Sequence, residues 1–220
     1  MTLSRSDRRR LRTVARRLRT WFVTNGRTFP WREPGVDLYR HVCVEVLVQR
    51  TRAETVARFY GPFFDRFPSW QAIDEASTSE LEVFLKPVGL WQRRARSLKN
   101  LARYAVAAGG KFPADDVELS KVPAVGQYVA NAIRLFQDDE PAPLLDTNMA
   151  RVIERYLRPR KLADLRYDPW LQGAAWYLVG LGDARLLNWA ILDLGGLVCT
   201  PRSPSCKVCP LRRGCSRNGV

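Results

Sequence analysis

The chain has 220 residues, 46% of them apolar and seven of them tryptophan, which is enough to bury a core as one compact unit or two small lobes. Thirty-six Lys and Arg against twenty-two Asp and Glu leave a formal charge of +14, which favours nucleic acid, or failing that an anionic membrane surface, as the partner. No long apolar span and no secretory leader pattern are present, so a membrane-spanning or secreted protein is set aside and a reducing cytoplasm is expected, nucleoid-associated in a prokaryote.

The first predicted element is an amphipathic basic helix. Arg8, Arg9, Arg10, Arg12, Arg16, Arg17 and Arg19 interleave with Leu11, Val14, Ala15 and Leu18 at helical spacing. Three uses stay open: contact with phosphates, binding to a membrane surface, or a solvated face on a core-packed helix. Helical periodicity dominates the rest of the chain, so the fold class is all-α. Residues 38–60 are the exception, because Val42, Val44, Val46 and Val48 alternate as in a strand. Glu45 and the polar continuation to Arg58 favour a buried helix there. Breaks are expected near Gly35, at Gly61-Pro62, around Pro68, at 87–89, at 109–113, at 141–143 and at 158–160, leaving pieces of ordinary helix length.

Residues 119–133 carry helical pattern on both sides of a tight Pro123-x-x-Gly126 turn, which reads as helix, hairpin, helix. Such a turn aims successive backbone N–H groups, here around Val125 and Gly126, and a helix N-terminus at one spot, where a phosphate oxygen can sit whatever the base. An ordinary helix-to-helix turn is the competing reading. Asp146 then opens the next helical stretch, a common place for an N-cap aspartate.

The chain ends with Cys199, Cys206, Cys209 and Cys215, separated by six, two and five residues. Four thiols this close point to a metal centre, either zinc or an iron–sulfur cluster. Disulfides fit poorly with a reducing compartment and with Cys43 left over. Only one of the pairs is short, and Pro210 follows Cys209, which leans towards a cluster.

Taken together, the residues resemble the helix-hairpin-helix DNA glycosylases that carry a four-cysteine [4Fe–4S] cluster, such as endonuclease III and the adenine mismatch glycosylase. The resemblance runs in order along nearly the whole chain: Phe29-Pro30-Trp31-Arg32, then Val44-Glu45-Val46-Leu47-Val48-Gln49-Arg50-Thr51, then Val88-Gly89-Leu90 with Arg94-Ala95 and Leu98, then the hairpin, Leu145-Asp146-Thr147-Asn148 and the cysteines. It departs at Ala124, where the family usually has the first hairpin glycine, so the turn geometry there is in question. The resemblance implies a two-lobed fold. Residues 30–140 would form a six-helix barrel lobe, and residues 1–29 with 141–220 a terminal lobe whose cluster loop is 195–215. Double-stranded DNA would lie between the lobes, with Tyr128 facing Asp146, and the chain would act as a monomer.

By motif match, Gln49 would fill the gap left by a flipped nucleotide, Arg50 would stand beside it, and Leu90 would wedge the stack. Val125 and Gly126 would hold phosphate, Lys207 would lie on a basic loop over 207–213, and the four cysteines would hold the cluster, with zinc as the alternative. Asp146 would stabilise positive charge on the sugar. Glu45, within an apolar run, would donate a proton to the leaving base. Each has a plainer reading: N-cap for Asp146, structural acid for Glu45, surface glutamine for Gln49, core leucine for Leu90.

Tyr128 stands two residues after the hairpin glycine, where bifunctional members place a lysine that forms an imine with the sugar. A tyrosine cannot, so the resemblance implies a monofunctional enzyme. Tyr128, Arg50 and a chain ending at Val220 look most like the glycosylases that remove thymine or uracil mispaired with guanine. An adenine glycosylase without its recognition domain and a non-enzymatic DNA-binding module with structural zinc are the alternatives; Tyr128 as a plain helix-packing aromatic would weaken the choice of base but not of family.

Overall fold

The computed structural model describes residues 3–217; residues 1–2 and 218–220, which the expected terminal lobe includes, lie outside the described residues. Every regular element among the described residues is helical. No helix among them is long and apolar enough to cross a membrane. The chain divides into two compact units, one formed by Met1–Arg27 with Glu140–Val220, the other by Thr28–Asp139.

In the terminal unit the first helix, α1, spans Arg5–Asn25. Ser4 and Asp7 cap each other's backbone N–H groups in a capping box. Leu11, Val14, Ala15 and Leu18 are buried, so the apolar face expected from the spacing lies in the core.

The central unit begins with a 3-10 turn at Pro30–Arg32 and continues through α2 (Leu38–Val48), α3 (Ala53–Arg66), α4 (Trp70–Glu75) and α5 (Thr78–Leu85). A second 3-10 turn, Lys86–Val88, precedes α6 (Trp91–Ala107), α7 (Asp116–Lys121) and α8 (Gln127–Gln137). The side chains of Asp37, Ser69, Ser77 and Asp115 cap α2, α4, α5 and α7.

The valine alternation in α2 does not make a strand. Residues 41–47 are all buried, on both parities, because α3, α6 and α8 pack around this helix; an all-round apolar helix is a buried one. Several boundaries differ from expectation, including unannounced breaks at 76–77 and 180–183. Residues 38–60 are split by a break at 49–52, where Arg50 takes a left-handed φ of 59°. The Gly61-Pro62 break does not occur, since α3 runs through it. Pro62 forgoes one helical hydrogen bond, but the helix buries Phe63 and Phe64 beyond it, within an aromatic cluster that includes Phe67 and Phe84.

The terminal unit resumes with α9 (Thr147–Tyr156), α10 (Pro169–Val179) and α11 (Ala184–Leu197), which pack with α1 around Trp170, Leu178 and Ile191. The fully buried Asn188 holds the approach to α9: its Oδ1 accepts from the Leu144 N–H at 2.7 Å and its Nδ2 donates to the Ala142 carbonyl at 3.0 Å. Arg27 meets the buried Asp193 through its backbone N–H and Nε, both at 2.8 Å. The chain after α11 folds back onto α1 and α9. Arg10 donates to the carbonyls of Tyr156 and Gly214 and to Ser216, and Arg17 to the carbonyl of Arg213.

Candidate active site and cysteine centre

Glu45 lies on α2, packed against α8, and is only 5% exposed. Tyr128, in the first turn of α8, donates its hydroxyl to Glu45 Oε2 at 2.7 Å. The two residues are thus brought together in the α2–α8 packing, which also buries His41 and Asn131.

Three non-glycine residues in the central unit have left-handed backbones: Arg50 (φ 59°), Leu90 (φ 48°) and Ala124 (φ 69°). A fourth, Asp139, closes the unit. The first three sit in the three loops that sequence motifs singled out, and each strained residue is worth roughly 1–2 kcal/mol against the fold. Leu90 is 46% exposed, so it is not a core leucine. Gln49 is partly buried at the end of α2, and Arg50 is exposed. Ala124 adopts the conformation a glycine would take, so the hairpin keeps its turn despite the substitution. Val125 N–H bonds to the Val122 carbonyl at 3.1 Å, and Gly126 caps α8 with no side chain in the way.

Two of these loops are held by one buried side chain that the sequence placed in a family motif but gave no role. Arg94, on α6 and 3% exposed, donates through Nη2 to the carbonyls of Leu47 (2.8 Å) and Gln49 (2.6 Å) and to Thr51 Oγ1 (2.8 Å). Through Nη1 it donates to the carbonyls of Val88 and Gly89. Thr51 Oγ1 in turn donates to the Val88 carbonyl at 2.9 Å. Burial lowers the guanidinium pKa from its usual value. The available signal was its place beside Ala95 and Leu98 on the core stripe of α6, where a charge needs a purpose.

In the terminal unit Asp146 is the N-cap of α9, as the plainer reading had it. Its Oδ1 accepts from the N–H groups of Asn148 and Met149, both at 2.8 Å, and its Oδ2 from Asn148 Nδ2 at 2.7 Å. Burial nevertheless pushes its pKa above the usual aspartate value, outweighing those bonds. The result is a fixed, partly buried carboxylate whose ionised form burial disfavours. Behind it, Asn148 Oδ1 accepts from Arg151 Nη2 at 2.8 Å, while Arg151 also donates to the carbonyls of Gly195 (2.8 Å) and Cys199 (2.7 Å). A Cβ on Gly195 would lie 2.8 Å from that of Asn148, so only glycine allows α11 this close to α9. Asn148 and Arg151 therefore tie the carboxylate to the backbone of the first cysteine.

Cys199, Cys206, Cys209 and Cys215 line one pocket with Val198, Pro204 and Arg155. Arg155 approaches Cys199 Sγ at 3.5 Å and anchors the loop through the carbonyls of Thr200 (2.7 Å) and Pro201 (2.8 Å). Burial pushes the thiols of Cys209 and Cys215 up, and the neighbouring sulfurs push them further. Among the described residues no three His, Cys, Asp or Glu side chains converge as a single-ion site needs. The four thiols line a shared cavity. Lys207 is exposed on the loop between Cys206 and Cys209.

Comparison with known proteins follows the same outline. The profile of the HhH-GPD superfamily of base excision DNA repair proteins matches residues 43–164, which include Glu45, the hairpin and Asp146. The thymine-DNA glycosylase of Aeropyrum pernix is 33% identical over 214 residues, 95% of this chain and 96% of that one. The adenine DNA glycosylase of Mycobacterium tuberculosis is 32% identical over 88% of this chain and 64% of its own length. The solved structure of a thermostable thymine-DNA glycosylase superposes with a TM-score of 0.82 at 30% identity, covering 95% of this chain and 96% of that one. Motif order, helical architecture and these likenesses agree: the chain belongs to the HhH-GPD superfamily of base excision DNA repair proteins.

Proposed function

We propose that this DNA glycosylase excises thymine or uracil mispaired with guanine and leaves an intact abasic site. The observation that carries the hydrolytic half of the reading is Tyr128: the position two residues past the hairpin glycine holds a phenol committed to Glu45 rather than an amine. Without an amine no imine to the sugar forms, and water must take the base's place. The pyrimidine half rests on the likeness to thymine-DNA glycosylases over 95% of the chain.

The chemistry runs as follows. Extruding a mispaired nucleotide costs less than extruding a paired one, so the mismatch itself aids selection. Leu90, exposed and held by its left-handed backbone, wedges the stack, and Gln49 with Arg50 occupies the gap. Val125 and Gly126 present the hairpin backbone to a phosphate, with Lys207 contacting the backbone elsewhere. The Glu45–Tyr128 pair offers a donor and acceptors to a base edge, and Glu45 supplies the proton to the departing base. Ionised Asp146 stabilises positive charge developing on the sugar and accepts a proton from the attacking water, a role its raised pKa suits.

Cys199, Cys206, Cys209 and Cys215 would hold a [4Fe–4S] cluster, whose positive irons, when bound, would keep the four partly exposed sulfurs as thiolates and so fix the basic loop. The protein acts as a monomer. The test is trapping with borohydride on a T·G duplex: the wild type should give no covalent complex, and Tyr128→Lys should give one. A trapped complex with the wild type would refute the monofunctional reading. A colourless protein carrying zinc instead of iron would refute the cluster alone.

A further inference from the structure

Helix α1 carries eight arginines and no lysine. Three of the eight make hydrogen bonds or ring contacts within the terminal unit: Arg10 and Arg17 hold the chain after α11, and Arg8 lies over the Tyr177 ring at 5.7 Å, while the Arg19 guanidinium passes close to Gly182. The other five, Arg5, Arg9, Arg12, Arg16 and Arg19, repeat at alternating spacings of four and three, which puts them in one row about 21 Å long. All five are exposed, and none forms an ion pair among the described residues. The helix has one acid, Asp7, and the capping box occupies it.

Nothing in the fold calls for this row. Like charges at i,i+4 repel by a few tenths of a kcal/mol per pair, and cations in the first turns oppose the helix dipole. The helix is held instead by its cap and by Leu11, Val14, Ala15 and Leu18. Because that apolar face is buried, it is not free to enter a bilayer, and the amphipathic membrane-anchor reading fails. What remains is a row of exposed guanidinium groups along one face of the helix, a chemistry that pairs bidentately with phosphate. A row about 21 Å long spans roughly six phosphates of one strand.

We infer that the α1 arginine row is a sequence-independent docking surface for the phosphate backbone of undamaged duplex DNA, used in holding and scanning DNA rather than in base release. The inference rests on the reading of the protein as a DNA glycosylase for the choice of duplex DNA as the polyanion.

The full chain with Arg5, Arg9, Arg12 and Arg16 all changed to Gln is the test, read by fluorescence anisotropy on a fully paired duplex across a KCl series. The slope of log affinity against log salt should shallow by up to about 3.6, four contacts at about 0.9 each. Between 50 and 200 mM the wild type should then lose roughly 150-fold more affinity than the variant. The matching Lys variant should keep the wild-type slope. Single-turnover base release from a T·G duplex at saturating enzyme should stay within about twofold.

An unchanged slope with Gln would overturn the inference, as would loss of binding to phosphatidylserine vesicles with duplex binding intact. If the quadruple variant melts early, Arg9→Gln with Arg16→Gln reads the same effect at half size. A shallower slope without T·G release in the wild type would sink the substrate proposal and leave this surface standing.

Discussion

Tyr128 donates a 2.7 Å hydrogen bond to a carboxyl 83 residues earlier, that of the buried Glu45. The residue proposed to set whether an imine can form is therefore tied to a buried acid. Tyr128→Phe keeps the ring and removes only the donor. It should lower stability by about 1–2 kcal/mol, a shift of several degrees in melting temperature, and slow excision more than it weakens duplex binding. Calorimetry and single-turnover kinetics on one preparation would check both; unchanged values for both would deny the pair any role.

Asp146→Asn separates the carboxylate's charge from its capping. Burial raises the aspartate's folded pKa, so its stabilising contribution is present below the unfolded value and is lost as pH rises through the folded value. At neutral pH the ionised side chain thus weakens the fold. Asparagine still offers an oxygen to the N–H groups of Asn148 and Met149. The variant should melt at or above the wild-type temperature at pH 7, yet release base at least ~100-fold more slowly. Wild-type rates should fall on acidification with a midpoint above the ordinary aspartate value. A lower melting temperature at pH 7 would show that capping, not charge, dominates here.

Arg94→Met removes the donors to four carbonyls and one hydroxyl while keeping bulk in the core. Leaving those acceptors buried should cost more than about 2 kcal/mol. Arg94→Lys should recover part of the stability but not both loops, since an ammonium lacks the planar fork. A fluorescent base analogue opposite the mismatch would show loss of base extrusion in both variants. Normal extrusion in Arg94→Met would mean that the 49–52 and 88–90 loops hold themselves.

Much of this was legible before any coordinates. The arginine and leucine spacing of α1 and the hairpin helices follow from periodicity and turn residues. The α2 helix was legible only through Glu45 and the polar tail, because its valines alternate. What failed were local rules overridden by packing: Gly61-Pro62 stays helical because Phe63 and Phe64 bury beyond it. The break at 49–52 has no glycine or proline to announce it. The Arg94 hub and the link from Asp146 through Asn148 and Arg151 to Cys199 join residues roughly 45 to 50 positions apart, beyond the reach of any spacing rule.

Leu90 and Ala124 are both left-handed, but for different ends. Leu90→Ala removes exposed surface, so stability should change by less than about 0.5 kcal/mol, whereas excision from duplex DNA should drop by at least tenfold. Ala124→Gly should stabilise by up to about 1 kcal/mol and leave excision unchanged, because glycine takes that φ without strain. Melting curves beside excision rates would separate the two; a large stability loss in Leu90→Ala would make it a packing residue after all.

The most direct measurement is base release from labelled duplexes carrying T·G, U·G, A·G and A opposite 8-oxoguanine, each read with and without alkali. The account predicts strand breaks at T·G and U·G that appear only after alkali, since excision leaves an unbroken abasic site. Breaks confined to the adenine of the last two duplexes, or breaks at T·G without alkali, would contradict it.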